Sequence, residues 1–414
     1  MEFTVSRNEL LTALQHTRLA ICKRNGIPMF GDFIMTFRND SQLVMTVHTS
    51  NGEIFMTEDV VLDGTNGELR PISIYYNDLL PAIKALDEQP LRFVVGDYQV
   101  TVHHDIGTFR LPLANTTNEF LSWKVPCPDV EAEDCHTMYY EAPALASILS
   151  RCSYAMAQDE LRPVMNGIHF NFTANYSDYV TSDEHILVRV RKAPVCYDNK
   201  RVVTNFIIPA RVASILKRVL PKTGDVDIDY QEKLEKTEKK FINDGNGGRM
   251  KEETVTVHNA QCRITIDDNL TISFNPIDGR YPNYLNVIPS EGHNKYEMLI
   301  NRRELTKSLD RLSLFAPDSG FLRMYISHDK LRLNTANSDY NIYGEETLPC
   351  ECNIDDATMR MGIKAVTLSK TLKAMSTEKV VMRIEDGTRA FFVNPQPQPD
   401  NEELTYLLMP MMCD

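Results

Sequence analysis

Long apolar runs are missing from this chain. None of its 414 residues fall in a stretch approaching the ~20 apolar positions that a membrane-spanning helix needs. The opening Met-Glu-Phe-Thr-Val-Ser has neither the basic nor the apolar region of a secretory signal, so a cytoplasmic protein with no membrane partner is expected. Paired cysteines are missing too. Nine cysteines are scattered from Cys22 to Cys413, only Cys350 and Cys352 are close, and no Cys-x-x-Cys pair suggests zinc or redox work. Reduced thiols are the expectation, with no metal and no cofactor. No Gly-rich loop precedes a helix to cradle phosphates, so a nucleotide-driven motor is not supported. Positive charge is in short supply as well. The net charge of −13, taken as an average, speaks against nucleic acid.

What is present is repetition. The chain is too long for one ordinary core, and about 100–200 residues per domain gives two to four domains. Three segments begin with an amphipathic helix, at 6–22, 141–157 and 301–316, and Ser6 and Glu9 have the spacing of a capping box. Alternating strands follow, ending in a polar turn at 47–52, 180–185 and 334–339. A second helix comes at about 75–86, 209–220 and 363–375. The offsets between first and second helices are 69, 68 and 62 residues, which chance does not supply three times. After each second helix the period-2 pattern returns, as in Leu91–Val95 and Val380–Ile384. The fold class is therefore α+β, with antiparallel sheets backed by two helices per repeat. The boundaries fall at 1–125, 126–293 and 294–414. The middle repeat carries a charged, Gly-rich insertion at 231–254, expected to be an extended, partly disordered hairpin tip.

The connector at 277–289 leads from the second repeat to the third. Asp278-Gly279 supplies a turn, and Pro282 and Pro289 keep the segment out of helices and central strands. Its Ile277, Tyr281, Tyr284, Leu285, Val287 and Ile288 call for burial along a domain seam.

Charge is distributed unevenly. The six helices with their immediate ends carry +12, which leaves −25 for the rest of a chain of net −13. In 209–220 the stripe Val212, Ile215, Leu216, Val219 and Leu220 must face a sheet, so Arg211, Lys217 and Arg218 point away. Lys370 and Lys373 similarly oppose Leu368, Leu372 and Met375. Basic helices within an acidic shell suit a phosphate backbone contacted without regard to sequence.

These features, with Asp278-Gly279-Arg280-Tyr281-Pro282-Asn283-Tyr284, Val287 and Pro289, Met165-Asn166-Gly167, Asp183-x-His185-x-Leu187 and the terminal Met409-Pro410-Met411, resemble the bacterial DNA polymerase III beta subunit family, the replication sliding clamps. The match runs the length of the chain. The resemblance implies the DNA clamp fold, three clamp domains per subunit closing head-to-tail into a homodimeric ring around duplex DNA. It implies a processivity factor within the DNA polymerase III holoenzyme and not an enzyme. Arg24, Arg151, Arg211, Lys217, Arg218, Lys370 and Lys373 are the candidate DNA contacts. Phe109 and Leu111 match one half of the dimer interface, and Leu314 and Phe315 the other. A groove for short linear peptides of the polymerase alpha subunit, the clamp loader and other clamp-binding proteins is implied at Met165, Gly167, Ser182, His185, Leu187, Pro282, Asn286, Val287, Thr367, Val380, Leu407, Met409, Pro410 and Met411. Methionines mould to varied apolar anchors, and prolines hold a groove in shape. The chain departs from the family pattern at Glu184, Ile186 and Asn286, so an altered peptide preference is expected.

Two rival functions remain at this level. One is a monomeric peptide-binding scaffold that uses the groove but no ring. The other is a metal-dependent hydrolase built on Asp183 and His185, whose i, i+2 spacing would share one face of a strand.

Overall fold

The computed structural model describes every residue except 22–26, 40–42, 199, 243–248, 290–293, 338–339, 355–357 and 414, and the side chains of all but these, residue 39 and residues 234–258. The expected helices form as α1 (Arg7–Thr17), α2 (Tyr76–Lys84), α4 (Ala142–Cys152), α5 (Ala210–Val219), α6 (Arg302–Leu312) and α7 (Ala365–Lys373), with a short additional α3 at Thr117–Leu121. Ser6 caps α1 by accepting from the Glu9 amide at 3.4 Å, and Asn301 caps α6 by accepting from the Glu304 amide at 3.1 Å. Each of the six long helices directly follows a strand, since the strand's last residue supplies the extended N-cap and the apolar stripe then turns onto the sheet.

A single pairing rule generates the sheets. In every repeat, the strand before one helix pairs with the first of three strands that follow the other helix. Two compact units result, residues 1–143 with 218–276 and residues 144–217 with 277–414. In the first unit, an eight-stranded sheet runs Ile72–Tyr75, Asp32–Asn39, Leu43–Ser50, Ile54–Val61, then crosses to the second repeat's Leu270–Phe274, Gln261–Ile266, Asp225–Gln231 and Cys135–Glu141. In the second unit, the same seam recurs between Ile186–Lys192 of the second repeat and Glu402–Leu408 of the third. The registers correspond. Ile54 faces Phe274 in one seam, and Ile186 faces Leu408 in the other.

Two half-sheets lack such a neighbour among the described residues. The five-stranded sheet of the first repeat ends at Gly107–Pro112, and the four-stranded sheet of the third ends at Ile342–Pro349. Each therefore presents an edge of unpaired backbone groups.

Two basic residues expected on helix surfaces prove to be structural. Arg7 Nε and Nη2 donate to the carbonyls of Ile83 (3.1 Å) and Lys84 (2.9 Å) at the end of α2. Arg302 donates to Leu372 O (3.1 Å) in the last turn of α7 and to Thr377 O (2.5 Å) in the loop beyond it. Each satisfies helix-terminal carbonyls while opposing the dipole's negative end. The 231–254 insertion forms paired strands Leu234–Ile242 and Arg249–His258 as expected of a hairpin, and the tip lies outside the described residues.

Candidate peptide groove and charged surfaces

The groove starts from a turn in the second unit. Strand Ser177–Ser182 ends where the Thr181 hydroxyl donates to the last carbonyl of α4, Cys152 O, at 3.0 Å. Asp183 Oδ1 then accepts from the amides of His185 and Ile186, both at 2.9 Å, and Ser182 Oγ accepts from the Glu184 amide at 3.2 Å. This Asx turn forces Glu184 to φ 75°. Asp183 and His185 therefore sit in a turn and not on a strand face, and Asp183 Oδ1 is engaged by two backbone amides. Among the described residues no group of three or more His, Cys, Asp or Glu is placed to hold a metal.

The connector forms the opposite wall. Gly279, at φ 124°, makes the expected turn, and a Cβ there would meet Val164 at 2.7 Å. The Tyr281 ring stacks on His169, centroids 4.6 Å apart and planes 1° apart. Tyr284 is anchored through its hydroxyl, which donates to Asp178 Oδ2 at 2.7 Å and accepts from Asn171 Nδ2 at 2.9 Å. Asp178 is fully buried and held bidentately by Arg191, at 2.7 Å to each oxygen. Burial pushes the Tyr284 hydroxyl's pKa up, and its bond to Asp178 adds to the rise, so it stays a donor. Not every apolar residue of the connector is covered. Leu285 is 44% exposed and Val287 56%, because the 3-10 turn Tyr284–Asn286 rolls them off the core and presents Val287 to the groove.

Leu187, Leu407, Tyr281, Tyr284, Ile207 and Phe392 form one buried cluster that makes the floor. The chain's final segment closes the end. The Met409 amide donates to His185 O and the Met411 amide to Gly362 O, both at 2.8 Å, so the Met-Pro-Met segment is docked and not frayed. The groove between these walls measures about 510 Å³. That volume suits a short apolar segment.

Of the expected wall, the cavity brings together Met165, Ser182, His185, Leu187, Pro282, Val287, Leu407 and Met409. Gly167, Asn286, Thr367, Val380, Pro410 and Met411 lie outside it. Gly167 is there for strand packing, since a Cβ would sit 2.4 Å from Ile208 O. Val380 is fully buried in a strand, between Ile300 and Pro395. The lining also includes Tyr281 and Tyr284, whose aromatic spacing in the connector signalled a role, and Arg162 and Ala390, which nothing in the sequence singled out.

The candidate DNA contacts separate in the same way. Lys217, Arg218 and Lys370 are exposed. Arg24 lies outside the described residues. Arg211 is partly buried, and Lys373 pairs with Asp310 at 2.9 Å. Arg151 is not a free cation. Its side chain is largely buried and ion-paired with Glu402, so its charge is already met inside the protein. At the open sheet edges, Phe109 and Leu111 are half-buried on the first core. Leu314 is 79% exposed and Phe315 40%, and Phe315 lies against Gly344 of the second edge strand.

Three family models match the chain in order: the DNA polymerase III beta subunit N-terminal domain at 1–120, its central domain at 141–283 and its C-terminal domain at 285–412. A beta sliding clamp of Staphylococcus epidermidis is 20% identical over 99% of both chains. One from Pseudomonas putida is 21% identical over 99% of this chain and all of its own. Among solved structures, a Pseudomonas aeruginosa sliding clamp bound to griselimycin superposes with a TM-score of 0.80 at 20% identity, and the Thermotoga maritima beta subunit with 0.80 at 16%, each covering both chains fully. The chain therefore belongs to the DNA polymerase III beta subunit family of DNA sliding clamps, which are processivity factors and not enzymes.

Proposed function

We propose that two copies of this chain close into a ring around duplex DNA and tether the replicative polymerase to it. The seams carry this reading. Twice within the chain, the third strand after a repeat's first helix pairs with the third strand after the following repeat's second helix. Only Gly107–Pro112 and Ile342–Pro349 are strands of these two kinds without such a partner among the described residues. A second copy supplies what each lacks, and closure removes both edges. The seam register, carried through the ladders, supports a pairing of Leu111 with Ile342 of the other copy and of Phe109 with Gly344. A Cβ at Gly344 would stand 3.0 Å from Leu312 and 3.4 Å from Phe315, so in this reading those two side chains are what the Phe109 ring meets.

In this reading the repeats 1–125, 126–293 and 294–414 are six domains in the dimer. Lys217, Arg218 and Lys370 act with other helix cations on the phosphate backbone without reading sequence. The groove takes short peptides of the polymerase III alpha subunit, the clamp loader and other partners in the cytoplasm. A topological link holds the protein on DNA, so each cation contributes little.

Sedimentation and loading test this. Wild type should sediment as a dimer at micromolar concentration, and cysteines placed at Thr108 and Glu345, opposite one another in this register, should cross-link two copies only when both are present. Loaded on circular DNA, the protein should be released when the circle is cut. A stable monomer would instead favour the scaffold reading, and retention on linear DNA would rule out sliding.

A further inference from the structure

The protein contains its own reference for the groove turn. Helix starts and strand ladders equate the first repeat with the second: Ile34 faces His48 as His169 faces Val180, and Ser50 faces Phe55 as Ser182 faces Leu187. Ser50-Asn51-Gly52-Glu53-Ile54 is thereby the counterpart of Ser182-Asp183-Glu184-His185-Ile186. The hydrogen bonds agree. Asn51 Oδ1 accepts from Glu53 N at 3.0 Å and Ile54 N at 2.8 Å, and Ser50 Oγ accepts from Gly52 N at 2.9 Å. Thr49 donates to the last carbonyl of α1 as Thr181 does to that of α4. The left-handed position is Gly52 (φ 91°) in one copy and Glu184 (φ 75°) in the other. Glycine adopts this conformation freely, whereas a side chain there is strained.

What occupies that strained position is a carboxylate at the lip of the groove. Glu184 Oε2 accepts from Arg162 Nη2 at 2.7 Å, and Asp159 Oδ2 accepts from Arg162 Nε at 3.1 Å. Arg162 and Glu184 both line the cavity, and the rest of its lining carries no Lys, Arg, Asp or Glu. The lone guanidinium is thus answered from two sides by carboxylates, and the trio has a net charge of −1. An acidic residue entering beside the apolar anchors would find Arg162 already engaged and two carboxylates facing it. A basic residue would find a carboxylate with no opposing cation left over. Strained residues concentrate where a ligand is clamped, and rejecting the wrong charge is as much a part of specificity as attracting the right one.

We propose that Glu184 is a specificity-determining residue, which selects partner peptides carrying a lysine or arginine next to their apolar anchor and disfavours acidic ones. This rests on the groove being the peptide site.

The test uses the full chain and one short Gln-, Leu- and Phe-containing peptide made in two forms, flanked by lysines or by glutamates. Binding is measured at low and at high salt. Because the whole protein is acidic, the preference is read as a ratio in wild type, in Glu184→Gln and in Glu53→Gln, an exposed glutamate outside this cavity. Exposed ion pairs of this kind shift affinity by roughly threefold to fivefold at low salt. The lysine-to-glutamate ratio should fall by that factor in Glu184→Gln, stay at its wild-type value in Glu53→Gln, and shrink in high salt. A ratio unchanged by Glu184→Gln, or lowered equally by Glu53→Gln, overturns the role of Glu184 while leaving the groove intact. Failure of both peptides to bind wild type overturns the groove reading, and this inference with it.

Discussion

The first and second repeats build the same turn beside the same strands, but the first packs aromatic rings there and the second lines a cavity. In the first, Met29, Phe30, Ile34, Phe55 and Phe120 form a closed buried cluster. Trp123 meets Phe30 edge-on, ring centroids 5.0 Å apart, and lies 3.5 Å from where a Cβ on Gly52 would stand. In the second, the counterparts of Phe30 and Phe55 are Met165 and Leu187, and the segment that follows the repeat's last strand supplies Tyr281 and Tyr284 in place of Phe120 and Trp123. Smaller side chains, with Pro282, leave open space where the first repeat has aromatic rings. The groove is therefore a core position left unfilled.

The largest test of this difference is Phe120→Ala. Truncating a buried phenylalanine costs about 3–5 kcal/mol, so the denaturant midpoint of the first unit should drop sharply. Relief of the defect by a small apolar additive would show that a groove had been recreated there.

Next comes acid. Beside each turn a histidine is drawn out of water, on opposite strands of the same pair: His48 in the first repeat and His169 in the second. Burial pushes both imidazoles down to about 4, against the partial opposition of Asp59 and Asp178 respectively. The unfolded chain, with histidine near 6.5, binds more protons than the folded one between those values. Stability should be fully present above pH 6.5 and fall as pH drops toward 4, by on the order of 2 kcal/mol per histidine. His169→Phe should flatten that slope in urea titrations, and a slope unaffected by either histidine would contradict their neutral burial.

Third, Gly52→Glu copies the second repeat's residue into the first. It meets the Phe30 ring at 3.2 Å and a left-handed backbone, and should cost about 2 kcal/mol. The reverse, Glu184→Gly, should change stability by less than about 1 kcal/mol, since relief of the backbone offsets the lost exposed ion pair. Equal costs for the two exchanges would erase the distinction between filled and open sites.

Smallest in stability, and largest in contrast, is Val287→Ala or Met409→Ala. Both side chains are about half exposed, so unfolding should move by under roughly 0.5 kcal/mol while affinity for an apolar peptide falls severalfold.

Much of this was legible beforehand, for identifiable reasons. Amphipathic stripes and capping residues fixed the six long helices, because those signals are local. The connector's turn and its two tyrosines were readable from Asp278-Gly279 and from aromatics between prolines. Arg162 and Ala390 were not, because only the fold brings a 3-10 turn and a third-repeat loop to one cavity. Leu285 and Val287 were expected inside, since an apolar residue of a core and one of a binding groove look alike in sequence. Arg7, Arg151 and Arg302 were counted among surface cations, and nothing local announces that their partners are two helix ends and a glutamate 251 positions away.

The seam has one more consequence. In the proposed ring, an edge that fits a different edge of its own copy has a valence of two and no intrinsic terminus. Whether such units stop at two or keep adding depends only on the angle turned at each joint. A change that flattened the twist near Leu111 or Ile342 would leave every contact intact and convert closed particles into fibres that lengthen with concentration. For a protein of this design, curvature is as much a solubility determinant as surface charge.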